Sequence, residues 1–122
     1  MKKIFLLLFT IFSSLAMAQG TLNIYTERHY DSDKILFSEF EKQTGIKVNV
    51  IKASADELIQ KLQMEGANTP ADLFLTVGAA NLYGAKTKGL LQKVNSKILD
   101  TNIPKNFRDK DRSEEHTSEL QS

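Results

Sequence analysis

From Gln19 to Asp111 the apolar positions recur with two different periods, and the switches between them divide the chain into elements. Leu22-Asn23-Ile24-Tyr25-Thr26 alternates apolar and polar residues and predicts a first strand. Asp31 to Thr44 instead carries Leu36, Phe37 and Phe40 at helical spacing and ends at Gly45, a residue suited to the left-handed position that closes a helix. Ile46, Val48 and Val50 alternate with Lys47 and Asn49 as a second strand. Ser54-Ala55-Asp56-Glu57 then has the spacing of a capping box, followed by Leu58, Ile59 and Leu62 on one face before Gly66. Asn68-Thr69-Pro70 breaks that helix, and Leu73-Phe74-Leu75 is a short apolar run suited to a strand covered on both faces. A third helix is expected over Ala79 to Lys86, closed by Gly89.

The order βαβαβα predicts an α/β fold, a parallel sheet with flanking helices, because successive parallel strands need a crossover to join them. In open sheets of this kind a ligand lies outside the carboxyl ends of the strands, where neighbouring connections leave on opposite faces. If the strand order is 2-1-3, the crevice falls between the loops Glu27 to Asp33 and Val77 to Ala80. Phe37, Phe40 and Phe74 are expected in the core, and Tyr25 and Tyr83 as packing residues.

The two ends of the chain depart from this pattern. Met1-Lys2-Lys3 precedes an apolar run from Ile4 to Phe9 that continues through Ile11 and Phe12, and Ala16-Met17-Ala18 supplies an A-x-A site. Residues 1–18 therefore read as a signal peptide cleaved before Gln19, since the run is shorter than the ~20 apolar residues of a spanning helix. The chain has no cysteine, so neither a lipid anchor on a cysteine nor a disulfide is expected, although an oxidising compartment would permit the latter. Residues 112–122, RSEEHTSELQS, are identical to one reading frame of a common sequencing-library adapter. They are expected to be a non-native tail, and His116 within them is assigned no role. A formal net charge of +1, with both signs interspersed, offers no basic stripe for a phosphate backbone, so nucleic acid is not an expected partner.

Four ordered segments carry a family resemblance: Leu22 to Tyr30 (L-N-I-Y-T-E-R-H-Y), Phe40 to Val48 (F-E-K-Q-T-G-I-K-V), Ala55 to Leu58 (A-D-E-L), and Glu65 to Leu73 (E-G-A-N-T-P-A-D-L). Together they resemble the opening of the ferric-iron-binding periplasmic proteins, the substrate-binding components of iron ABC transporters. The second and fourth segments alone indicate only the wider class of two-lobed binding proteins, which also take up thiamine, polyamines, sulfate or phosphonates. Arg28-His29-Tyr30 narrows the resemblance to iron. It implies that residues 19–111 form part of the first lobe of a two-lobed protein, and that the lobes close on the ion and dock on a permease in the inner membrane. It also implies a periplasmic monomer whose paired tyrosine ligands lie in a second lobe beyond this chain.

Fe3+ is a small, hard, highly charged ion that prefers anionic oxygen, which a phenolate supplies; an imidazole can add nitrogen. The resemblance assigns a metal-ligand role to Tyr30 and a less firm one to His29, with a synergistic anion as a possible companion of the ion. Some members place a glutamate in the loop after the third strand; here Thr76-Val77-Gly78 has none, which points to the tyrosine-rich subgroup. Glu27 and Arg28 could order the loop or bind that anion, but read first as an ordinary surface ion pair worth under about 1 kcal/mol. A periplasmic hydrolase on the same scaffold finds no support. There is no G-x-S-x-G elbow, no cysteine nucleophile and no H-E-x-x-H, so the expected protein is not an enzyme.

Overall fold

The computed structural model describes residues 20–109, so the expected signal peptide and the residues 112–122 lie outside it. The elements run β1 (Thr21–Thr26), α1 (Asp31–Thr44), β2 (Lys47–Lys52), α2 (Ala55–Glu65), β3 (Leu73–Leu75), α3 (Ala79–Thr87) and α4 (Lys97–Asn102). Single 3-10 turns occupy Gly66–Asn68 and Lys105–Phe107. The three strands form one parallel sheet in the order β2-β1-β3, with Thr21 opposite Lys47 and Thr26 opposite both Lys52 and Leu75. This is the α/β arrangement expected from the sequence. No helix among the described residues is long and apolar enough to cross a membrane.

β1 is central, and its adjacent side chains leave on opposite faces of the pleat. Ile24 and Tyr25 are nonetheless 1% and 0% exposed, so both faces are covered. The apolar face of α2 does most of this on one side: Leu58 and Leu62 pack with Tyr25, and Ala53, Ala71, Phe74 and Leu90 close around them. The Tyr25 hydroxyl donates to both carboxylate oxygens of Glu65, at 2.9 and 3.0 Å, which satisfies a phenol that would be costly to bury unpaired. Lys61 pairs with Glu65 at 2.8 Å, and the Thr69 hydroxyl donates to it at 2.7 Å.

The motifs that carry the resemblance have direct structural work. In the Phe40 to Val48 segment, Gly45 adopts φ 73° and its N–H donates to the Glu41 carbonyl, which closes α1. The Thr44 hydroxyl donates to the Phe40 carbonyl at 2.7 Å and accepts from the Ile46 N–H at 3.1 Å. The Glu41 carboxylate accepts from the Val48 N–H at 2.6 Å, tying the helix end to the start of β2. In the Pro70-Ala71-Asp72 segment, the Asp72 N–H donates to the Asn23 carbonyl and its carboxylate accepts the Asn23 N–H, both at 2.8 Å. One aspartate thus extends the β1–β3 pairing by a step ahead of β3.

Three expectations about packing need correction. Phe74, partly buried, packs against the core as expected, but Phe37 and Phe40 are half-buried outside it. The cause is that α1 lies over β2, an edge strand, and buries no residue fully. Tyr83 is 61% exposed and is not a packing residue, because Ala85, with Asn81 and Leu82 half-buried beside it, takes the inner side of α3. The sequence reading also missed α4, whose six residues are too few for a period to show; Ser96 caps it by accepting from the Leu99 N–H at 3.4 Å.

Candidate metal centre

Four residues, Glu27 to Tyr30, connect β1 to α1 at the carboxyl end of the central strand, so both predicted ligands lie at the switch point of the sheet. Tyr30 occupies the N-cap position of α1 with φ −82° and ψ 135°, and its side chain makes no capping hydrogen bond. It is 50% exposed. His29 is exposed beside it. The structure therefore presents a phenol and an imidazole outward from one short connection, on adjacent residues.

Arg28 holds the connection from within. Its N–H donates to the Thr26 hydroxyl at 3.0 Å, and its guanidinium donates to both oxygens of Asp33 at 2.9 Å, a planar two-point fit. The same guanidinium lies 5.0 Å from the centre of the Tyr30 ring, within cation–π range. Tyr30 forms one wall of a groove of about 220 Å3 whose lining also includes Thr26, Phe37 and the cationic Arg28, Lys34 and Lys52. Asp33, which pairs with Arg28, lines the same groove.

Glu27 does not pair with Arg28, contrary to the sequence expectation. Its carboxylate instead crosses to the connection after β3, where one oxygen accepts from the Thr76 hydroxyl, from the Val77 N–H at 2.6 Å and from the Asn81 amide at 3.1 Å. The backbone follows the same route, the Glu27 N–H donating to the Leu75 carbonyl at 3.3 Å. Burial pushes the Glu27 carboxyl up, but the hydrogen bonds from Thr76, Val77, Asn81 and the Ala55 N–H outweigh it and hold the group below its ordinary 4.5. Residues of the connections after β1 and β3 and of the first turns of α2 and α3 thus meet at one carboxylate. The available signal was a carboxylate directly after a strand and facing helix N-termini, whose positive ends favour it.

The connection after β3, Thr76-Val77-Gly78, has no glutamate. Among the described residues, no three His, Cys, Asp or Glu side chains come together to hold a metal ion.

Iron uptake protein A1 of Synechocystis is 47% identical over 93 residues, covering 76% of this chain and 26% of that protein. Among solved structures, the ferric binding protein from Campylobacter jejuni is 52% identical with a TM-score of 0.73, covering 75% of this chain and 29% of its own. The Trichodesmium protein in complex with iron and citrate ligands is 45% identical with a TM-score of 0.74, covering 77% and 30%. The chain spans between a quarter and a third of the length of these proteins. Residues 25–114 match the model of the bacterial extracellular solute-binding proteins, and with the parallel β2-β1-β3 sheet and its switch-point loop already in view, the chain belongs to that family.

Proposed function

We propose that this chain is the opening part of the first lobe of a periplasmic protein that captures ferric iron and delivers it to an ABC transporter permease in the inner membrane. The protein is a monomeric carrier and not an enzyme. Tyr30 binds the ion through its phenolate oxygen, and His29 adds an imidazole nitrogen. The observation that carries this reading is the presentation of these two exposed donors, side by side, at the carboxyl end of the central strand. The cations around the Tyr30 groove suit an anion bound together with the iron. Residues 1–18 direct export and are removed, and residues 112–122 are foreign to the gene.

The test requires the full-length protein. Reading the source locus across the codon for Asp111 supplies it, and on this proposal the native gene departs from RSEEHTSELQS at Arg112. Secreted from a Gram-negative host, the protein begins at Gln19 by N-terminal mass analysis. Titrated with ferric citrate, it develops a phenolate-to-iron charge-transfer absorption. Tyr30→Phe weakens binding at least about tenfold with the fold intact, since it removes one oxygen and little packing, and His29→Ala has a smaller effect. An unchanged affinity in full-length Tyr30→Phe, or tight binding by residues 19–111 alone, refutes the assignment.

A further inference from the structure

We infer that Glu27 is a positioning residue for iron: by clamping the β1–α1 connection to the β3–α3 connection it fixes where Tyr30 is held. The inference rests on the reading of Tyr30 as a ligand and goes beyond it.

Of the four residues between β1 and α1, two have side chains committed inside the lobe and two face outward. Arg28 is bound to Asp33 and Thr26, which shapes the loop but ties it only to its own flanks. Glu27 alone among them reaches another connection, where the Thr76 hydroxyl, the Val77 N–H and the Asn81 amide converge on a single oxygen. Asn81 lies in the first turn of α3, so the carboxylate also sits at the positive end of that helix. Tyr30 follows three residues later, at the N-cap of α1 and with no cap of its own. Its position is therefore set by α1 on one side, by the Arg28 guanidinium over its ring, and by the Glu27 clamp at the start of the connection. A metal ligand must be held to within about 0.5 Å of its productive geometry, and a loop released at one end does not achieve that. The clamp also draws the Thr76-Val77-Gly78 connection into the support of the ligand loop.

The test compares Glu27→Ala, Glu27→Gln and Thr76→Val in the full-length protein, with Tyr30→Phe alongside. The readouts are ferric affinity and the wavelength of the phenolate-to-iron band, which a loss of general stability leaves unmoved in the molecules that remain folded. Glu27→Ala is expected to weaken ferric binding by about tenfold and to shift the band. Glu27→Gln restores both in large part, because its amide oxygen can accept from the same three donors. Thr76→Val, which removes one donor and keeps the charge, shifts the band in the same direction by less. If Glu27→Ala does not fold, Thr76→Val decides alone. Parental affinity and band in Thr76→Val and in folded Glu27→Ala, while Tyr30→Phe weakens binding and alters the band, overturn the role of Glu27 and leave the ligand assignment standing. A parental band in Tyr30→Phe overturns both.

Discussion

At the N-cap of α1 the chain forgoes an available gain in stability. Ser, Thr, Asp and Asn are strongly preferred there because their short side chains accept a hydrogen bond from the first turn; Tyr30 cannot, and none is made. A residue that is locally poor yet sits at the mouth of the sheet is the pattern expected where function overrides folding. Tyr30→Ser should therefore raise the unfolding free energy by up to about 1 kcal/mol while weakening ferric binding and altering the phenolate-to-iron band, and urea unfolding beside ferric titration reads both. The ligand roles proposed for Tyr30 and His29 rest in the sequence only on the motif that contains them; no local rule singles out a half-exposed tyrosine. The partners of Glu27 and Arg28 were not legible. Neighbours at the end of a strand leave on opposite sides of the backbone, so Arg28 turned to Asp33 and Glu27 to residues about fifty positions away, a separation no window of sequence spans.

Single elements were readable to the degree that their own residues define them. α2 carries its start signal and its buried face in consecutive positions, and the reciprocal bonds are present: the Ser54 hydroxyl accepts from the Glu57 N–H and the Glu57 carboxylate from the Ser54 N–H. Ser54→Ala should cost about 1 kcal/mol in chemical unfolding, with little change in ferric binding, since neither proposed ligand lies on α2. α1 was equally clear in its period and its stop at Gly45, but its aromatic residues are less buried than the pattern implied. A period tells which residues share a face and not how much lies opposite that face. Because α1 covers an edge strand, Phe37 and Phe40 meet only part of a sheet. α4, with no room for a period, left no trace to read.

For the whole lobe, the order β2-β1-β3 followed from the alternation of strands and helices only as one possibility; long-range bonds such as Asn23 to Asp72 realise it. A second long-range assembly gives the lobe a pH response. Glu65 joins β1, α2 and the turn before β3 through Tyr25, Lys61 and Thr69. The Lys61 ammonium and the Thr69 hydroxyl, opposed by some burial, hold its carboxyl below the free value of 4.5. Stability from this group is thus fully present above that value and is lost as pH falls through the lowered one. Glu57, held down by Ser54, adds to the same acid limb. In Glu65→Gln, which keeps an acceptor for Tyr25 but has no charge to lose, the decline of stability with acid should be shallower below pH 4.5, as thermal melts across that range would show.

The chain contains three tyrosines and no tryptophan, and the fold assigns the three to different surroundings. Tyr25 is sealed against α2 with its hydroxyl on a carboxylate, Tyr30 stands half-open under a guanidinium, and Tyr83 projects from α3 into solvent. The near-ultraviolet light absorbed by this chain is consequently divided among an interior, a mouth and a surface. A collisional quencher such as acrylamide reaches Tyr83 and Tyr30 and not Tyr25, whose fixed asymmetric contacts in turn dominate the aromatic circular dichroism. Emission lost to the quencher reports the open side of the molecule, and dichroism lost on heating reports its interior. This stretch of chain thus carries separate optical gauges of its mouth and its core without an added label.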